Sequence, residues 1–323
     1  MKRILLIGGA GYIGSHITLE LIRKGYAVAI MDSLINSDLR NIRNIERVAG
    51  KPILFEKANV ASDKIEFHSF FRGLKFDAII HLAAYKDVGE SNMRPFMYYD
   101  NNIATTMNVI RIASMTSTRN IIFSSSAAVY GNNNGVVRED MSLNPMSPYA
   151  RTKVMSEDIL RDTAEAGNLF KAVSLRYFNP LGVQVGLEIS KRGARNVLDV
   201  LNDAVLTNTF KINGNDYPTK DGTAVRDFIH VSDVAEAHVA TIEYMLANDF
   251  RGMKVYNVGR GKETSVKELL TIYNQVNGTT IEPKYEGRRE NDIYYSQADV
   301  SKIEREIGWR AKRNIEEMVK RYE

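Results

Sequence analysis

A glycine-rich turn near the start of the chain restricts its fold more than any other feature of the sequence. Residues 4–7 form an apolar run with the length and branching of a buried strand, and residues 12–24 have helical spacing. Between them lie Gly8, Gly11 and Gly14, in the pattern GxxGxxG. This spacing allows a tight turn, a close approach of backbone to ligand, and close packing of the helix on the strand. We therefore predict a β-α unit whose helix N-terminus faces an anion.

The same alternation of short apolar runs and longer amphipathic segments continues through the first half of the chain. Further strands are predicted at residues 27–31, 52–55, 77–82, 120–123 and 172–175. Apolar strands that alternate with helices form parallel sheets that helices cover on both faces. We expect an α/β fold, with a Rossmann-type doubly wound parallel sheet and a smaller α/β C-terminal lobe that binds substrate.

Beyond about residue 179 the pattern becomes irregular and richer in turns, which predicts a second lobe. A helix at 231–247 and a strand at 254–258 interrupt this region, and the strand could return to the first sheet. The first predicted domain is 1–178, to which 226–258 returns, and the second lobe is 179–225 with 259–323. A lobe beside a nucleotide-binding sheet commonly forms a substrate cleft with it.

Composition excludes several classes of function. The 323 residues contain no cysteine, which rules out a disulfide scaffold, a cysteine–zinc site and a thiol nucleophile. Basic and acidic residues, 43 and 39 of them, are interspersed without long runs, so we expect no nucleic-acid surface. The five histidines show no metal-ligand spacing. The apolar runs are too short for a signal peptide or a membrane span, and we expect a cytoplasmic protein.

Asp32 indicates which kind of ligand the glycine turn binds. It stands eighteen residues after Gly14, at the end of the second predicted strand. An acid at this point accepts hydrogen bonds from the ribose hydroxyls of an adenine dinucleotide and repels a 2′-phosphate. The glycines alone would be weak evidence, because many strand–helix turns contain them. The turn, the helix and the acid together predict that the chain binds NAD rather than NADP.

A tyrosine, a lysine and a serine form the candidate catalytic group. Tyr149 and Lys153 are four residues apart on a predicted helix, so they share a face. A free tyrosine, with a pKa of about 10, is a poor base near neutral pH. We expect the lysine charge to lower that pKa. A YxxxK match alone is typical of surface helices, but Ser126 follows an apolar strand and could bring a hydroxyl to the phenol. The three residues predict a hydride-transfer site in which the tyrosine moves a proton.

Long motifs in a fixed order extend this interpretation over nearly the whole chain. They are GGAGYIGSH at 8–16, VGES at 88–91, YYDNN at 98–102, SSSAAVYG at 124–131, SPYARTK at 147–153, RYFNPLG at 176–182, GNDYPTKDGTAVRDFIHVSDVAEAH at 214–238 and YNVG at 256–259. With these motifs the chain resembles the extended short-chain dehydrogenase/reductases, and within them the UDP-glucose (UDP-galactose) 4-epimerases. The resemblance implies a UDP-sugar substrate, a 4-keto intermediate that turns over in the site, and NAD that is regenerated in each cycle.

The resemblance also implies a role for individual residues. Tyr149 resembles the base that takes the 4-hydroxyl proton, Ser126 the hydroxyl that bonds O4, and Lys153 the residue that bonds the nicotinamide ribose. The implied cofactor-binding residues are Gly8, Gly11, Tyr12, Ile13, Gly14, Asp32, Asn36, Asn59, Val60, Leu82, Ala83, Ala84, Lys86, Asn101, Ser124, Tyr149, Lys153 and Tyr177. The implied substrate-binding residues are Lys86, Ser126, Tyr149, Phe178, Asn179, Asn196, Val197, Lys211, Asn213, Arg226, Arg289, Asp292 and Ser296. The arginines agree with a diphosphate ligand, which calls for guanidinium donors.

Departures from the resemblance bear on substrate range. Ala127 and Ala128 follow the serines where related dehydratases carry an acid pair, which disfavours elimination. Ser296 stands where glucose-only epimerases tend to carry a tyrosine, so we hypothesise that UDP-GlcNAc and UDP-GalNAc are accepted too. The alternative is that Tyr294 and Tyr295 fill this space. Two other functions stay open: a UDP-glucuronate 4-epimerase, and a non-catalytic regulatory protein that binds NAD or a sugar nucleotide.

The resemblance further implies a homodimer. The predicted helix at 104–117 and the one that starts at Tyr149 resemble the pair that builds a four-helix dimer interface in this family. The prediction of a homodimer rests on this ground only.

Overall fold

The computed structural model describes residues 1–62, 70–71, 73–167, 169–190, 195–289 and 293–321. The strands are β1 (Arg3–Ile7), β2 (Ala27–Asp32), β3 (Leu54–Lys57), β4 (Ala78–His81), β5 (Asn120–Ser126), β6 (Gly135–Val137), β7 (Lys171–Tyr177), β8 (Asn179–Leu181), β9 (Thr209–Asn213), β10 (Val225–Arg226), β11 (Phe228–His230), β12 (Met253–Val258), β13 (Thr264–Ser265), β14 (Glu282–Glu286) and β15 (Tyr295–Ala298). The helices are α1 (Tyr12–Arg23), α2 (Leu39–Ala49), α3 (Val88–Met93), α4 (Pro95–Met115), α5 (Pro148–Gly167), α6 (Val197–Thr207), α7 (Val231–Ala247), α8 (Val266–Asn277), α9 (Ser301–Ile307) and α10 (Ile315–Val319).

Seven strands form one parallel sheet in the order β12-β7-β5-β4-β1-β2-β3, which confirms the predicted α/β fold class. Its central strand β1 supplies both layers of the core, because successive side chains point to opposite faces. Ile4 and Leu6 pack in one hydrophobic cluster with residues of α1 and α7. Leu5 and Ile7 pack in a second cluster with residues of α4 and α5. Helices on both faces therefore explain why β1 is apolar throughout.

Three predicted boundaries are wrong for identifiable reasons. The strand predicted at 52–55 begins at Leu54, since Pro52 has no N–H to donate and the pairing with β2 starts there. Ser126 belongs to β5 rather than following the strand. The helix predicted at 104–117 starts at Pro95 and ends at Met115. Its first half contains polar residues that point inward, so the apolar spacing began too late to locate its start.

The second half of the chain builds smaller sheets beside the carboxyl ends of the main one. A four-stranded sheet has the order β13-β10-β15-β6, and the pairs β11-β8 and β14-β9 form two further sheets. Leu198, Phe210, Leu269 and Met318 belong to a separate hydrophobic cluster under these elements. Strand β12 pairs in parallel with β7, so the chain returns to the edge of the main sheet. Within the described ranges, no helix has the length and apolar character that a membrane span requires.

Candidate active site

Two glycines of the turn after β1 have no room for a side chain because protein atoms lie too close, whereas a third faces open space. Gly8 has φ +86°, and a Cβ there would lie 2.5 Å from the backbone nitrogen of Ala83. A Cβ on Gly14 would lie 2.7 Å from the carbonyl oxygen of Gly8. At Gly11, by contrast, the nearest neighbour of a Cβ would be 3.7 Å away. Gly11 is also the N-cap of α1 and has no side-chain cap bond, so the space before this helix start fits a pyrophosphate.

Asp32 is held as a hydrogen-bond acceptor beside this turn. Its carboxylate accepts hydrogen bonds from the N–H groups of Ala10 (3.0 Å) and Leu34 (2.9 Å) and from the Ser37 hydroxyl (2.8 Å). The residue is only 8% exposed, at the carboxyl end of β2. A carboxylate has about four lone-pair positions, so capacity remains for ribose hydroxyls. Asp32 and the space before Gly11 therefore fit the adenosine and pyrophosphate parts of NAD.

The other predicted cofactor residues surround the carboxyl ends of neighbouring strands. The N–H groups of Leu82 and Ala83 donate to the Ile7 carbonyl at 2.8 and 2.9 Å, which fixes the loop after β4. The Tyr12 hydroxyl donates to the carbonyl of Gly182 and ties α1 to the segment after β8. The segments that follow β1 to β4 also contain Ile13, Asn36, Asn59, Val60, Ala84 and Lys86, and α4 contains Asn101.

Strand pairing brings the predicted catalytic residues together. Strands β5 and β7 are neighbours, and Ser126 is paired with Tyr177 in their register. Lys153, on the first turns of α5, donates from Nζ to the carbonyl of Ser124 at 2.6 Å. Its Nζ lies 5.9 Å from the ring centroid of Tyr149. Three stretches of chain that are distant in sequence therefore meet at one edge of the sheet.

Burial outweighs the expected effect of the lysine on the pKa of Tyr149. Burial of the phenol raises the pKa of Tyr149 above its usual value of 10, and a hydrogen bond with Ser126 opposes this only in part. Burial also lowers the pKa of Lys153 to about 7, and the charge of Glu157 opposes this shift only in part. Near neutral pH the lysine is only partly protonated. Its charge therefore gives the phenolate less support than a fully protonated lysine would.

A buried ion pair under these residues was missed by the sequence reasoning. Glu157, one turn after Lys153, bonds the Arg176 guanidinium through both oxygens, at 3.0 Å to Nε and 2.6 Å to Nη2. Ser174 donates to the same carboxylate at 2.8 Å, and Arg176 reaches the Tyr130 hydroxyl at 3.0 Å. The available signal was Arg176, which directly follows the strand predicted at 172–175, since a buried charge requires a partner.

The four-stranded sheet brings two of the predicted sugar-nucleotide residues next to each other. Arg226 in β10 is paired with Ser296 in β15. The carboxylate of Asp227, the residue after Arg226, accepts hydrogen bonds from the N–H groups of Arg260 (2.8 Å), Gly261 (2.9 Å) and Ala298 (3.1 Å). Burial raises the pKa of Asp227 to about 6. Sequence reasoning did not single out Asp227, which holds these strands in place. Phe178 packs in the same cluster as Ala298, and Asn179 donates its amide N–H to the Asp227 carbonyl at 3.0 Å.

The two tyrosines beside Ser296 have other partners. The ring of Tyr294 stacks on Tyr217, with centroids 6.0 Å apart and planes 19° apart. The Tyr295 hydroxyl bonds the side chains of Glu263 and, at 2.8 Å, Gln297. Successive strand residues point to opposite faces, so Ser296 faces away from Tyr295.

Two predicted substrate residues already have protein partners. Asn196 caps α6 by accepting a hydrogen bond from the N–H of Asp199 at 3.0 Å. The exposed ammonium of Lys211 lies 2.8 Å from Glu286. Among the described residues, no hydrogen bond or ion pair joins Lys211 to the four-stranded sheet. Val197 begins α6, Asn213 ends β9, and Arg289 follows β14. Asp292 lies outside the described residues.

Comparison with known proteins identifies relatives over the whole chain. The NAD dependent epimerase/dehydratase family matches residues 4–259. A UDP-glucose 4-epimerase of Bacillus subtilis (strain 168) is 40% identical over 321 residues, which is 98% of this chain and 94% of that protein. Another, from Dictyostelium discoideum, is 39% identical over 322 residues, 98% of this chain and 93% of that protein.

Solved structures agree with this relationship. A UDP-glucose 4-epimerase from Stenotrophomonas maltophila, with bound NAD and formylated UDP-arabinopyranose, superposes with a TM-score of 0.93 at 36% identity, covering 99% of this chain and 96% of that one. The UDP-Glc/GlcNAc 4-epimerase of Campylobacter jejuni superposes with a TM-score of 0.85 at 35% identity, covering 99% and 97%. The family predicted from the motifs is thereby confirmed: this chain belongs to the NAD-dependent epimerase/dehydratase family, among the extended short-chain dehydrogenase/reductases.

Proposed function

We propose that this enzyme interconverts UDP-hexoses that differ at C4, UDP-glucose and UDP-galactose among them. The observation that carries the proposal is the meeting of Ser126, Tyr149 and Lys153 at the carboxyl ends of β5 and β7. The glycine turn and Asp32 lie at the carboxyl ends of β1 and β2 in the same sheet. In open parallel sheets, ligands bind outside these strand ends.

The chain's own groups supply the proton chemistry. Tyr149 takes the proton of the sugar 4-hydroxyl while Ser126 bonds O4 and holds it. When bound, NAD supplies the acceptor for the hydride that leaves C4 and later returns it, so no net oxidation occurs. The sugar turns over as a 4-keto compound, and Tyr149 returns the proton to O4 as the hydride reaches the opposite face. Lys153 favours the ionised form of Tyr149 whenever it is protonated.

The central experiment incubates the purified protein with UDP-glucose and no added NAD, and compares Tyr149→Phe with wild type. We expect wild type to form UDP-galactose, because the cofactor is regenerated in each cycle. Tyr149→Phe should keep bound NAD but lose about 10²- to 10⁴-fold in rate, as expected when a general base is removed. Tyr26→Phe makes the same chemical change before β2, at the opposite end of the sheet, and should leave the rate unchanged. A near-normal rate in Tyr149→Phe would overturn the assigned mechanism.

The proposal includes the N-acetylated sugars UDP-GlcNAc and UDP-GalNAc. The contacts of Tyr294 with Tyr217 and of Tyr295 with Glu263 support it, since both tyrosines are already engaged by other protein side chains. The serine hydroxyl is small and leaves room for an N-acetyl group. Incubation with UDP-GlcNAc in the same assay tests this part. Good turnover of UDP-glucose with none of UDP-GlcNAc would contradict it and leave the first proposal standing.

The same assay separates the two rival functions. Turnover of UDP-glucuronate in preference to UDP-glucose would favour a uronate 4-epimerase. Retention of NAD without turnover of any of the three sugars would favour a regulatory protein. Glu157 supports an enzyme, because its charge favours the protonated form of Lys153 beside Tyr149.

We also propose that the enzyme is a homodimer that pairs through α4 and α5. These helices pack on each other and expose large apolar side chains: Phe96 is 80% exposed, Met107 40% and Met155 44%. Exposed apolar patches of this kind mark interaction sites.

The proposal also includes a division at residue 178 into an NAD-binding domain and a UDP-sugar lobe, with 226–258 returning to the first. It further includes a cytoplasmic location.

A further inference from the structure

A buried histidine lies directly behind the predicted cofactor residue Tyr177. Tyr177 ends β7 and His238 lies in the middle of α7, and both side chains are almost completely buried. The Tyr177 hydroxyl lies 2.7 Å from Nε2 of His238. Neither residue has a proton-transfer role in the mechanism above. The hydrogen bond between Tyr177 and His238 therefore calls for a separate explanation.

The contacts of His238 determine the direction of this hydrogen bond. Its Nδ1 lies 2.8 Å from the carbonyl oxygen of Val234, one turn earlier in α7. A carbonyl oxygen can only accept, so Nδ1 carries the proton. Burial lowers the pKa of His238 to about 4, and the ring is neutral at neutral pH. A neutral imidazole with its proton on Nδ1 presents a lone pair at Nε2. The Tyr177 hydroxyl must therefore donate to His238.

This direction restricts what the tyrosine can bind on its other side. Having donated its only proton to His238, the Tyr177 oxygen can act only as an acceptor toward the site. The Ser124 hydroxyl interacts with it by a hydrogen bond that lowers the pKa of Tyr177. Tyr149 lies close enough to raise that pKa through its charge. The Ser124 proton is thus directed at the Tyr177 oxygen, and the Tyr177 proton at His238 on α7.

We propose that His238 is a positioning residue that turns Tyr177 and Ser124 into acceptors for a carboxamide N–H donor, which selects the nicotinamide end of NAD. The inference deepens the proposed function and rests on it. A group that lacks a donor at the carboxamide position would leave an acceptor in the pocket without a partner. This missing hydrogen bond accounts for the expected preference for a dinucleotide that carries the carboxamide.

The test compares NAD with 3-acetylpyridine adenine dinucleotide, in which a methyl group replaces the carboxamide nitrogen. Purified protein is equilibrated with a mixture of both, freed of unbound dinucleotide and denatured, and the released dinucleotides are quantified by chromatography. We expect wild type to prefer NAD. His238→Leu and Tyr177→Phe should reduce this preference by about three- to tenfold, the usual effect of one hydrogen bond. His238→Gln, whose amide oxygen can accept at the Nε2 position, should restore much of it.

Two controls keep the result independent of folding and of the proposed function. Tyr273→Phe removes another tyrosine hydroxyl with a buried ring, one that bonds Asn202 at 2.8 Å in the second lobe, and should leave the preference unchanged. If His238→Leu does not fold, Tyr177→Phe decides, because an unchanged preference in that variant overturns the inference. An unchanged preference in folded His238→Leu does so too. Wild-type protein that binds neither dinucleotide would instead overturn the proposed function itself.

Discussion

Gly11 and Gly14 belong to the same turn, but their surroundings predict different effects of an added methyl group. A Cβ at Gly11 meets only ordinary contact distances inside the protein, and its φ of −76° suits any residue. We therefore expect Gly11→Ala to change the free energy of unfolding by less than about 0.5 kcal/mol. Its methyl group would enter the space that fits a pyrophosphate, so NAD binding should weaken by about tenfold, the equivalent of one or two hydrogen bonds.

Gly14→Ala is the matched comparison. Its Cβ would clash with the carbonyl of Gly8 at 2.7 Å, so this variant should lose about 1–3 kcal/mol of stability, as overpacked sites do. Urea denaturation measures the stability of the protein without cofactor, and equilibrium dialysis measures NAD binding. Equal NAD affinity in Gly11→Ala and wild type would show that the space before α1 does not hold the cofactor.

Lys153 makes stability depend on pH. Its pKa falls from 10.5 in the unfolded chain to about 7 in the folded protein. Between these values the unfolded chain binds more protons, so the free energy of unfolding rises with pH through this window. Lys153→Met removes this contribution while filling the same space. Measured without cofactor, the variant should be more stable than wild type near pH 7, by about 1 kcal/mol or more, and the difference should shrink toward pH 9.5. A constant difference across these pH values would contradict the argument.

Local patterns explain which residues could be found from the sequence. The glycines and Asp32 were predictable because their roles depend on neighbours in one β-α-β unit. The shifted pKa of Tyr149 was not, since it depends on burial by segments far away in the sequence. Asp227 was equally hidden, because its partners Arg260, Gly261 and Ala298 meet it only in the folded protein.

Helix α4 shows how one buried polar residue organises two elements. The Asn102 side chain accepts a hydrogen bond from the Tyr85 N–H at 2.8 Å and donates to the Tyr85 carbonyl and to Thr152 Oγ1, at 3.1 and 3.0 Å. Thr152 in turn donates to the carbonyl of Tyr149 at 2.7 Å. Asn102, one of the inward-pointing polar residues in the first half of α4, therefore connects α4 with the first turn of α5.

Asn102→Ala should lower the free energy of unfolding by about 1–3 kcal/mol, since it leaves the partly buried N–H of Tyr85 without this partner. Asp100→Ala changes an exposed residue of the same helix and should stay within about 0.5 kcal/mol of wild type. Chemical denaturation of both variants and wild type provides the measurement. A loss in Asn102→Ala no larger than that in Asp100→Ala would contradict this role.

At the scale of the whole molecule, pairing between distant segments was beyond sequence reasoning. The alternation of strands and helices predicted the parallel sheet, since each β-α unit is local and connections between parallel strands are right-handed. The four-stranded sheet pairs Gly135 with Ser296, across about half the chain. Short strands such as β6 and β10 have too few residues to show a period, so neither their existence nor their partners could be read from the pattern.

The proposed dimer links the surface of the molecule to its active site. Phe96 and Met107 are eleven residues apart on α4, about three turns, and so share its outer face. Met155 adds to this surface from α5, the helix whose first turns hold Tyr149 and Lys153. A partner that covers α5 would restrain the helix on which the candidate catalytic residues stand.

We therefore expect Met107→Glu to be monomeric at concentrations where wild type is dimeric, because two carboxylates would be buried against apolar partners. Analytical ultracentrifugation measures the dissociation constant, which should rise by about 100-fold or more. Epimerase activity of the variant should fall on dilution and recover at high protein concentration. Val136→Glu, at an apolar residue that is 48% exposed on β6, controls for the added charge. An unchanged dissociation constant in Met107→Glu would place any dimer contact elsewhere on the molecule.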